Sequence, residues 1–183
     1  AFGAALEWYD FSIFIFLTPI ITQLFFPELN KLIGLMASFG LFAAGYFMRP
    51  LGGILFGSLG DRIGRKKILQ ITTALMAIPM IGTALLPSTH TIGITAVIIL
   101  LLLRMLQGLS VGGEYTGVLV MLLEQAPLKH RALITSSASV ISGIGTLLSS
   151  GTIVLLNYML SHSQILDWGW RIPFFLGFIL AMY

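Results

Sequence analysis

Five charged side chains lie inside long apolar stretches of this sequence, where they could hold an ion, a proton or a charged solute. They are Glu7, Asp10, Arg49, Arg104 and Glu114. One charge at the centre of a bilayer costs about 2.5–3.5 kcal/mol on insertion scales, so these residues are expected to face one another or water. Each could belong to a structural ion pair that holds helices together. As a set, they favour a polar pathway through a membrane.

The three acids and one of the two arginines could share a similar depth within their apolar segments. Arg49 precedes Gly60, in a glycine-rich basic turn, by 11 residues, which is about 16 Å along a helix. Glu114 lies at a comparable depth in its own segment. Glu7 and Asp10 are three residues apart and project from one side of a helix. Two carboxylates in low dielectric resist being charged together unless Arg49 compensates, so one of them is expected to exchange a proton near neutral pH.

A polar stripe with helical spacing runs along the fourth apolar segment. It consists of Arg104, Gln107, Gly108, Val111, Glu114 and Tyr115. Such a stripe on an apolar helix requires a cavity or a polar partner. Gly108 with Gly112, and Gly113 with Gly117, also permit close helix approach, which on its own is ordinary packing. The candidate residues of the substrate and proton pathway are therefore Glu7, Tyr9, Asp10, Arg49, Arg104, Gln107, Glu114 and Tyr115.

The composition indicates the elements that carry these residues. Of the 183 residues, 57% are hydrophobic and only 9% are charged, too few to cover a water-soluble surface. An all-α integral membrane protein is predicted. Its six apolar segments are residues 1–26, 32–59, 68–86, 92–123, 133–160 and 172–183. The last is shorter than the roughly 20 residues that cross a bilayer. Because the chain begins and ends inside apolar segments, a longer protein is expected.

The basic residues predict the orientation of these segments. Those in the loops after the second and fourth segments are Arg62, Arg65, Lys66, Lys67, Lys129 and Arg131. The loops on the opposite side contain only Lys31 and Arg171. The excess of positive charge places the first set of loops, and the N-terminus, in the cytoplasm.

Enzymatic functions find little support in the sequence. It contains no cysteine, and its three histidines fall in loops on both sides of the predicted membrane. Neither a His-Glu-x-x-His helix nor a Gly-x-Ser-x-Gly elbow is present. A protein without catalytic activity, bound metal or cofactor is therefore expected.

The densest charge cluster is the segment 57–67, G-S-L-G-D-R-I-G-R-K-K, which is predicted as a cytoplasmic turn. It resembles the loop between helices 2 and 3 of the major facilitator superfamily. The matching positions are Gly57, Leu59, Gly60, Asp61, Arg62, Gly64, Arg65 and Lys67. Asp61 is expected to cap the start of the third helix. The presence of Lys66 and Lys67 is explained by topology alone, because their positive charges keep the loop on the cytoplasmic side.

Further runs of residues are similar to one branch of this superfamily, the metabolite:proton symporters. They are E-W-Y-D-F at 7–11, R-P-L-G-G at 49–53, R-M-L-Q-G at 104–108 with G-G-E at 112–114, and W-R-I-P-F at 170–174. Members of the branch carry 2-oxoglutarate, citrate, shikimate, or the osmolytes proline and betaine. The resemblance implies a twelve-helix carrier of which this chain is the N-terminal six-helix bundle, built from 3+3 inverted repeats, with the C-terminal half absent.

The same resemblance implies the energy source, the partners and the gate. A proton gradient would drive transport of a small organic acid or zwitterion by alternating access, without a cofactor or nucleic acid, in a bacterial inner membrane. The other partners would be the lipid bilayer and the missing C-terminal half. The turn would latch the cytoplasmic ends of the two halves. The gate residues would be Gly57, Gly60, Asp61, Arg62, Gly64, Arg65, Glu124 and Arg131.

Three functions remain open from the residues: a proton-coupled symporter of a carboxylate or zwitterion, a proton-coupled exporter of drugs or metabolites, and a non-transporting sensor on the same fold. The two intramembrane arginines favour the symporter, because a guanidinium can hold a carboxylate through two hydrogen bonds. In this hypothesis Arg104 faces the substrate carboxylate, and Glu7 or Asp10, set by Arg49, carries the proton. Glu114 is an alternative proton site.

Overall fold

The computed structural model describes residues 2–112, 127 and 131–182. All regular structure in these ranges is helical, as predicted. The elements are α1 (Phe2–Phe25), α2 (Lys31–Phe47), α3 (Arg49–Ile63), α4 (Arg65–Leu85), α5 (Thr89–Ile92), α6 (Ile94–Gly112), α7 (Arg131–Met159), α8 (His162–Asp167), a 3-10 turn (Gly169–Arg171) and α9 (Ile172–Ala181).

Five helical stretches of the described chain are long and apolar enough to cross a membrane. They are Gly3–Phe25, Lys31–Ile63, Arg65–Leu85, Ile94–Gly112 and Ser139–Met159, and a shorter apolar stretch covers Gly169–Ala181. The second stretch comprises α2 and α3, which meet at Met48. Pro50 accounts for this interruption, because its ring lacks an N–H and crowds the carbonyl of the residue four positions earlier.

The segment predicted as a turn at 57–67 is almost wholly helical. Helix α3 continues to Ile63 and α4 begins at Arg65, so Gly64 alone separates them. Gly64 has φ 97°, a backbone conformation that favours glycine, and its N–H donates to the carbonyl of Gly60 at 3.0 Å. Membrane helices tolerate glycine in their interiors, which is why Gly57 does not end α3.

Helix α1 forms the centre of the bundle. It packs against α2, α7 and α9, whereas α6 packs against α2, α3 and α4. The buried apolar core combines Phe14, Leu17 and Ile21 of α1 with Leu100 of α6 and Phe174 of α9. The polar side of α1 is reached by long side chains from helices α3 and α6, which contribute the two arginines of the candidate site.

Glycines set the distance between α6 and its neighbours, as the sequence predicts for Gly108 and Gly112. A Cβ atom on Gly108 would collide with the carbonyl of Gly45, and one on Gly112 would collide with the carbonyl of Arg49. In both places backbone meets backbone, so a flexible side chain cannot move aside. The close contact fixes α6 against both α2 and α3.

Replacing Gly108 with alanine is expected to lower the thermal stability of the protein. The added methyl group must push α6 away from Gly45, and overpacking of this kind costs about 1–3 kcal/mol. The measurement is the unfolding midpoint of the full-length protein in detergent. The matched control is Gly40→Ala, since a Cβ at Gly40 meets no described atom within 4 Å. The control should unfold at or above the wild-type temperature, and equal midpoints for both variants would contradict the expected contact.

Candidate functional site

Four of the five intramembrane charges form two ion pairs around the polar side of α1. Glu7 pairs with Arg49 of α3, with 3.0 Å between Oε1 and Nη1. Asp10 pairs with Arg104 of α6, with 3.3 Å between Oδ2 and Nη1. The fifth charge, Glu114, lies outside the described residues. Each of the two acids on α1 therefore contacts its own arginine.

The Asp10–Arg104 pair is buried. Arg104 is 5% exposed and Asp10 is 2% exposed. Besides its contact with Asp10, the guanidinium donates from Nη2 to the hydroxyl of Thr83 at 3.1 Å. It also lies 4.4 Å from the ring centroid of Phe14 and 5.6 Å from that of Phe174. Four helices, α1, α4, α6 and α9, thus hold one positive charge whose only described acidic partner is Asp10.

The Glu7–Arg49 pair lies at a boundary between the protein interior and an open groove. The Glu7 side chain is 2% exposed, whereas that of Arg49 is 24% exposed. The Arg49 guanidinium carbon lies 5.1 Å from the ring centroid of Phe11 and 4.7 Å from that of Tyr46. A carboxylate and two aromatic faces therefore surround this cation, each of which attracts positive charge.

A small cavity connects the two pairs. Its volume is about 40 Å³, and all four charged residues line it together with Phe11, Phe14, Phe42, Gly45, Tyr46, Gln107, Gly108 and Val111. That volume holds a few water molecules at most, whereas pockets for small organic ligands measure about 300–1,000 Å³. An organic solute can therefore enter this cavity only after the side chains around it move.

A larger groove opens beside Arg49, along residues of α2, α3 and α6. Its volume is about 680 Å³, and it is lined by Tyr46, Phe47, Arg49, Pro50, Gly53, Ile54 and Gly112. Arg49 and Tyr46 line both spaces. These two residues separate the small cavity from the groove, so movement of Arg49 would change access between them.

The remaining pathway candidates divide into three groups. Gln107 lines the cavity, as the stripe on α6 predicts. Tyr9 does not: its ring is buried in the apolar core, and its hydroxyl donates to the carbonyl of Pro173 at 3.0 Å. The prediction that Tyr9 lines the pathway is therefore wrong for this structure, because the residue faces α9. Tyr115, like Glu114, lies outside the described residues.

The gate candidates cluster where α3 meets α4. Asp61 lies in the last turn of α3 rather than at the start of a helix, so it does not cap α4, whose N-cap residue is Gly64. Instead, its Oδ1 lies 3.3 Å from Nη2 of Arg65, one turn later and exposed to solvent. A Cβ on Gly57 would meet no described atom within 4 Å. Arg62 also lies in the last turn of α3, and Gly60 packs beside Ile68.

Two other gate candidates cannot be placed in this cluster. Glu124 lies outside the described residues. Arg131 begins α7, and its side chain lies outside the description as well.

Thr83 and the aromatic residues around the two arginines belong to the site, but the sequence pattern does not indicate them as site residues. Thr83 is fully buried and is a partner of Arg104. A threonine in an apolar helix more commonly bonds to its own backbone, so the residue type carries only a weak signal. Phe11, Phe14 and Tyr46 are equally typical of an apolar core, and only the three-dimensional structure shows that their faces lie over positive charges.

Replacing Thr83 with valine is expected to destabilise the protein by about 1.5–3 kcal/mol, the usual contribution of a hydrogen bond to a charged group. The free energy of unfolding of the full-length protein in mixed micelles measures the effect. Thr83→Ser keeps the hydroxyl and should recover most of the loss. Thr72→Val is the control on the same helix, because Thr72 is also buried and its hydroxyl donates to its own backbone at Ile68 and Leu69. Equal losses for Thr83→Val and Thr72→Val would contradict a specific role for Thr83.

Comparison with known proteins identifies relatives over the whole chain. The protein-family profile described as "Sugar (and other) transporter" matches residues 1–183. The shikimate transporter of Escherichia coli strain K12 is 41% identical over 181 residues, covering 98% of this chain and 41% of that protein. The proline/betaine transporter of the same strain is 41% identical over 180 residues, covering 98% of this chain and 36% of that protein. The chain thus spans less than half the length of these relatives.

Solved structures share the fold. The E. coli xylose transporter XylE in its inward-open conformation superimposes with a TM-score of 0.85 at 21% identity, covering 99% of this chain and 44% of that one. The proton:xylose symporter XylE bound to 6-bromo-6-deoxy-D-glucose gives a TM-score of 0.89 at 21% identity, covering 99% and 41%. At this sequence identity the similarity establishes only the arrangement of the helices. The function of the site must be inferred from the residues described above.

Proposed function

The chain belongs to the sugar (and other) transporter family of the major facilitator superfamily, and on that premise we propose that it is the N-terminal six-helix half of a proton-coupled symporter. It is an integral, multi-pass membrane protein of a transporter family rather than an enzyme family. Its substrate is a small organic solute, either a carboxylate or a zwitterionic osmolyte. Relatives named as shikimate and proline/betaine transporters support this class of substrate.

The observation that carries the proposal is the buried pair of Asp10 and Arg104 beside the cavity. Together the two side chains are neutral. A proton on Asp10 removes its negative charge and leaves Arg104 uncompensated, and an unpaired charge in the interior is strongly unfavourable. A carboxylate of the substrate restores neutrality by binding the guanidinium through two hydrogen bonds. Proton and substrate therefore favour each other's binding, which is the coupling that symport requires.

Release of the substrate depends on the same charge balance between Asp10 and Arg104. When the site faces the cytoplasm and Asp10 loses its proton, the carboxylate of Asp10 competes for Arg104 and displaces the substrate. Thr83 and Phe14 contact the guanidinium independently of Asp10 and hold it in place during the exchange. Asp10 is thus proposed as the proton carrier and Arg104 as the substrate-binding cation. Glu114 remains an alternative proton site.

Alternating access needs a second half and a gate. The C-terminal half of the carrier is proposed to complete the site and to rock against this bundle. The junction of α3 and α4, with Asp61 exposed and Arg65 half-buried, is proposed to contact that half at the cytoplasmic face, together with Glu124 and Arg131. The proposed location is a bacterial inner membrane with the N-terminus in the cytoplasm, and the proton gradient supplies the energy without a cofactor.

The test is uptake by the full-length protein in proteoliposomes. A panel of labelled carboxylates and betaines is offered with and without an inward proton gradient, and empty liposomes and a protonophore serve as controls. Accumulation of one panel member that depends on the gradient is expected. If no member accumulates and a preloaded cationic dye leaves only when protons are supplied on the opposite side, the protein is an exporter. If neither movement occurs, the proposed symport of carboxylates and zwitterions is wrong and a sensor on the same fold is favoured.

A further inference from the structure

The guanidinium of Arg49 occupies a site that suits other cations. It lies against the rings of Phe11 and Tyr46, whose centroids are 6.2 Å apart. Trp8 adds an edge-on contact to Phe11, with 5.7 Å between the ring centroids. Aromatic faces attract positive charge, and sites lined by them bind quaternary ammonium groups. The rings therefore form a cation subsite, which a side chain of the protein fills in this conformation.

Glu7 supplies the negative charge of this subsite. Its Oε1 lies 3.0 Å from Arg49, and its side chain is buried. A cation that replaced Arg49 would therefore find both aromatic faces and a carboxylate. A quaternary ammonium carries no N–H group, so aromatic faces can match it where a hydrogen-bonding site cannot. This distinguishes the subsite from the Arg104 end of the cavity, which offers hydrogen-bond donors.

Arg49 has a place to which it can withdraw. Its side chain is partly exposed and lines the open groove beside Pro50 as well as the small cavity. Tyr46 is 54% exposed and stands between the two spaces. Movement of Arg49 would add the volume of its guanidinium to a cavity that is now too small for an organic solute.

We propose that Phe11, Tyr46 and Glu7 bind the quaternary ammonium group of a betaine-type zwitterion, whose carboxylate binds Arg104 at the other end of the same cavity. The inference rests on the proposed function and narrows its substrate class. Each end of the zwitterion replaces one member of an ion pair: the ammonium replaces Arg49 and the carboxylate replaces Asp10. A simple organic anion would satisfy Arg104 alone, and Arg49 would then stay on the aromatic faces and make no contribution to binding.

Two ligands of the same shape test this directly. Glycine betaine and 3,3-dimethylbutyrate differ in the central atom of the trimethyl group, which is a charged nitrogen in the first and a neutral carbon in the second. Binding of labelled glycine betaine to the purified full-length carrier is measured with each compound as competitor. Wild-type protein is expected to prefer glycine betaine by about 2- to 30-fold, the range that cation–aromatic contacts provide.

Substitutions of the two aromatic residues show whether they cause the preference for glycine betaine. Phe11→Leu and Tyr46→Leu should each lower the preference, because each removes one of the two aromatic faces and leaves the other with Glu7, whereas Tyr46→Phe keeps the aromatic face and should retain it. Phe16→Leu is the matched control on α1, because Phe16 is exposed and has no described aromatic partner. Since the readout is a ratio of two ligands in one sample, loss of folded protein does not change it. Equal binding of both ligands to the wild type, or a preference unchanged in both leucine variants, overturns the inference.

Proton-driven uptake in the same preparations separates this result from the proposed function. If the carrier accumulates an anion with protons but does not bind glycine betaine, the zwitterion subsite is wrong and symport stands. If the ring-dependent preference is found without proton-driven accumulation, the subsite stands and symport is wrong.

Discussion

Replacing Arg104 with methionine is expected to cost the protein about 3–5 kcal/mol of stability and to abolish binding of the substrate. The substitution keeps a long apolar side chain but removes the only described basic partner of Asp10, and breaking one member of a buried ion pair leaves an uncompensated charge. It also removes the donors proposed to hold the substrate carboxylate. Unfolding in mixed micelles measures the first loss, and equilibrium binding of the labelled substrate measures the second.

A double variant distinguishes the two losses. Asp10→Asn combined with Arg104→Met removes both charges, so the protein should regain much of the stability lost in the single variant while still failing to bind substrate. Arg62→Met is the control for loss of a positive charge, because Arg62 is exposed and a surface change of this kind falls within about 0.5 kcal/mol. If an Arg104 variant retained wild-type uptake of every anionic substrate, Arg104 would not be the substrate-binding cation.

The similar depth of Glu7, Asp10 and Arg49 could be predicted from the sequence because depth in a membrane helix follows from counting residues. The same count assigned Glu114 to this layer, whereas the structure brings Arg104, ten residues earlier in the sequence, to the cavity that the other three line. The choice of partners could not be predicted in the same way. It depends on the rotation of α3 and α6 against α1, which the backbone contacts at Gly108 and Gly112 fix.

The position of Tyr9 could have been predicted from the angle at which it projects from the helix. Its depth in the membrane, which resembles that of Glu7 and Asp10, does not show which way it faces. Residues advance by about 100° around a helix axis, so Glu7 and Asp10 lie about 60° apart, whereas Tyr9 lies about 160° from Glu7. It therefore faces α9, away from the cavity. Thr83 and the aromatic rings are harder to recognise, since their roles arise only from the neighbours that the fold brings to them.

The junction between α3 and α4 was misplaced for a different reason. Gly57 and Gly60 resemble turn residues in a soluble protein, but the helix continues through both and ends only where Gly64 adopts a positive φ. Asp61 consequently lies at the end of a helix, where a carboxylate is unfavourable next to the negative end of the helix dipole. Its contact with Arg65 offsets this, and Asp61 stays exposed at the junction while Arg65 is half-buried.

The proposed coupling depends most directly on Asp10, and Asp10→Asn is expected to bind substrate but lose proton-driven accumulation. Asparagine has the shape of the protonated acid and no charge, so Arg104 is permanently available to the substrate carboxylate. One proton per solute and a gradient of one pH unit provide about 1.4 kcal/mol, which supports about a tenfold concentration ratio at zero membrane potential. The variant should stop at a ratio of about one, while exchange of labelled for unlabelled substrate continues.

The same experiment shows whether the proton is carried elsewhere. Asp61→Asn is the matched control, because it removes an exposed carboxylate at the junction of α3 and α4 and should still reach the wild-type ratio, even if more slowly. Substrate binding by wild-type protein should strengthen as the pH falls, since protonation of Asp10 releases Arg104, whereas binding by Asp10→Asn should not change. A tenfold accumulation by Asp10→Asn would contradict the proposed role and assign the proton to Glu7 or Glu114.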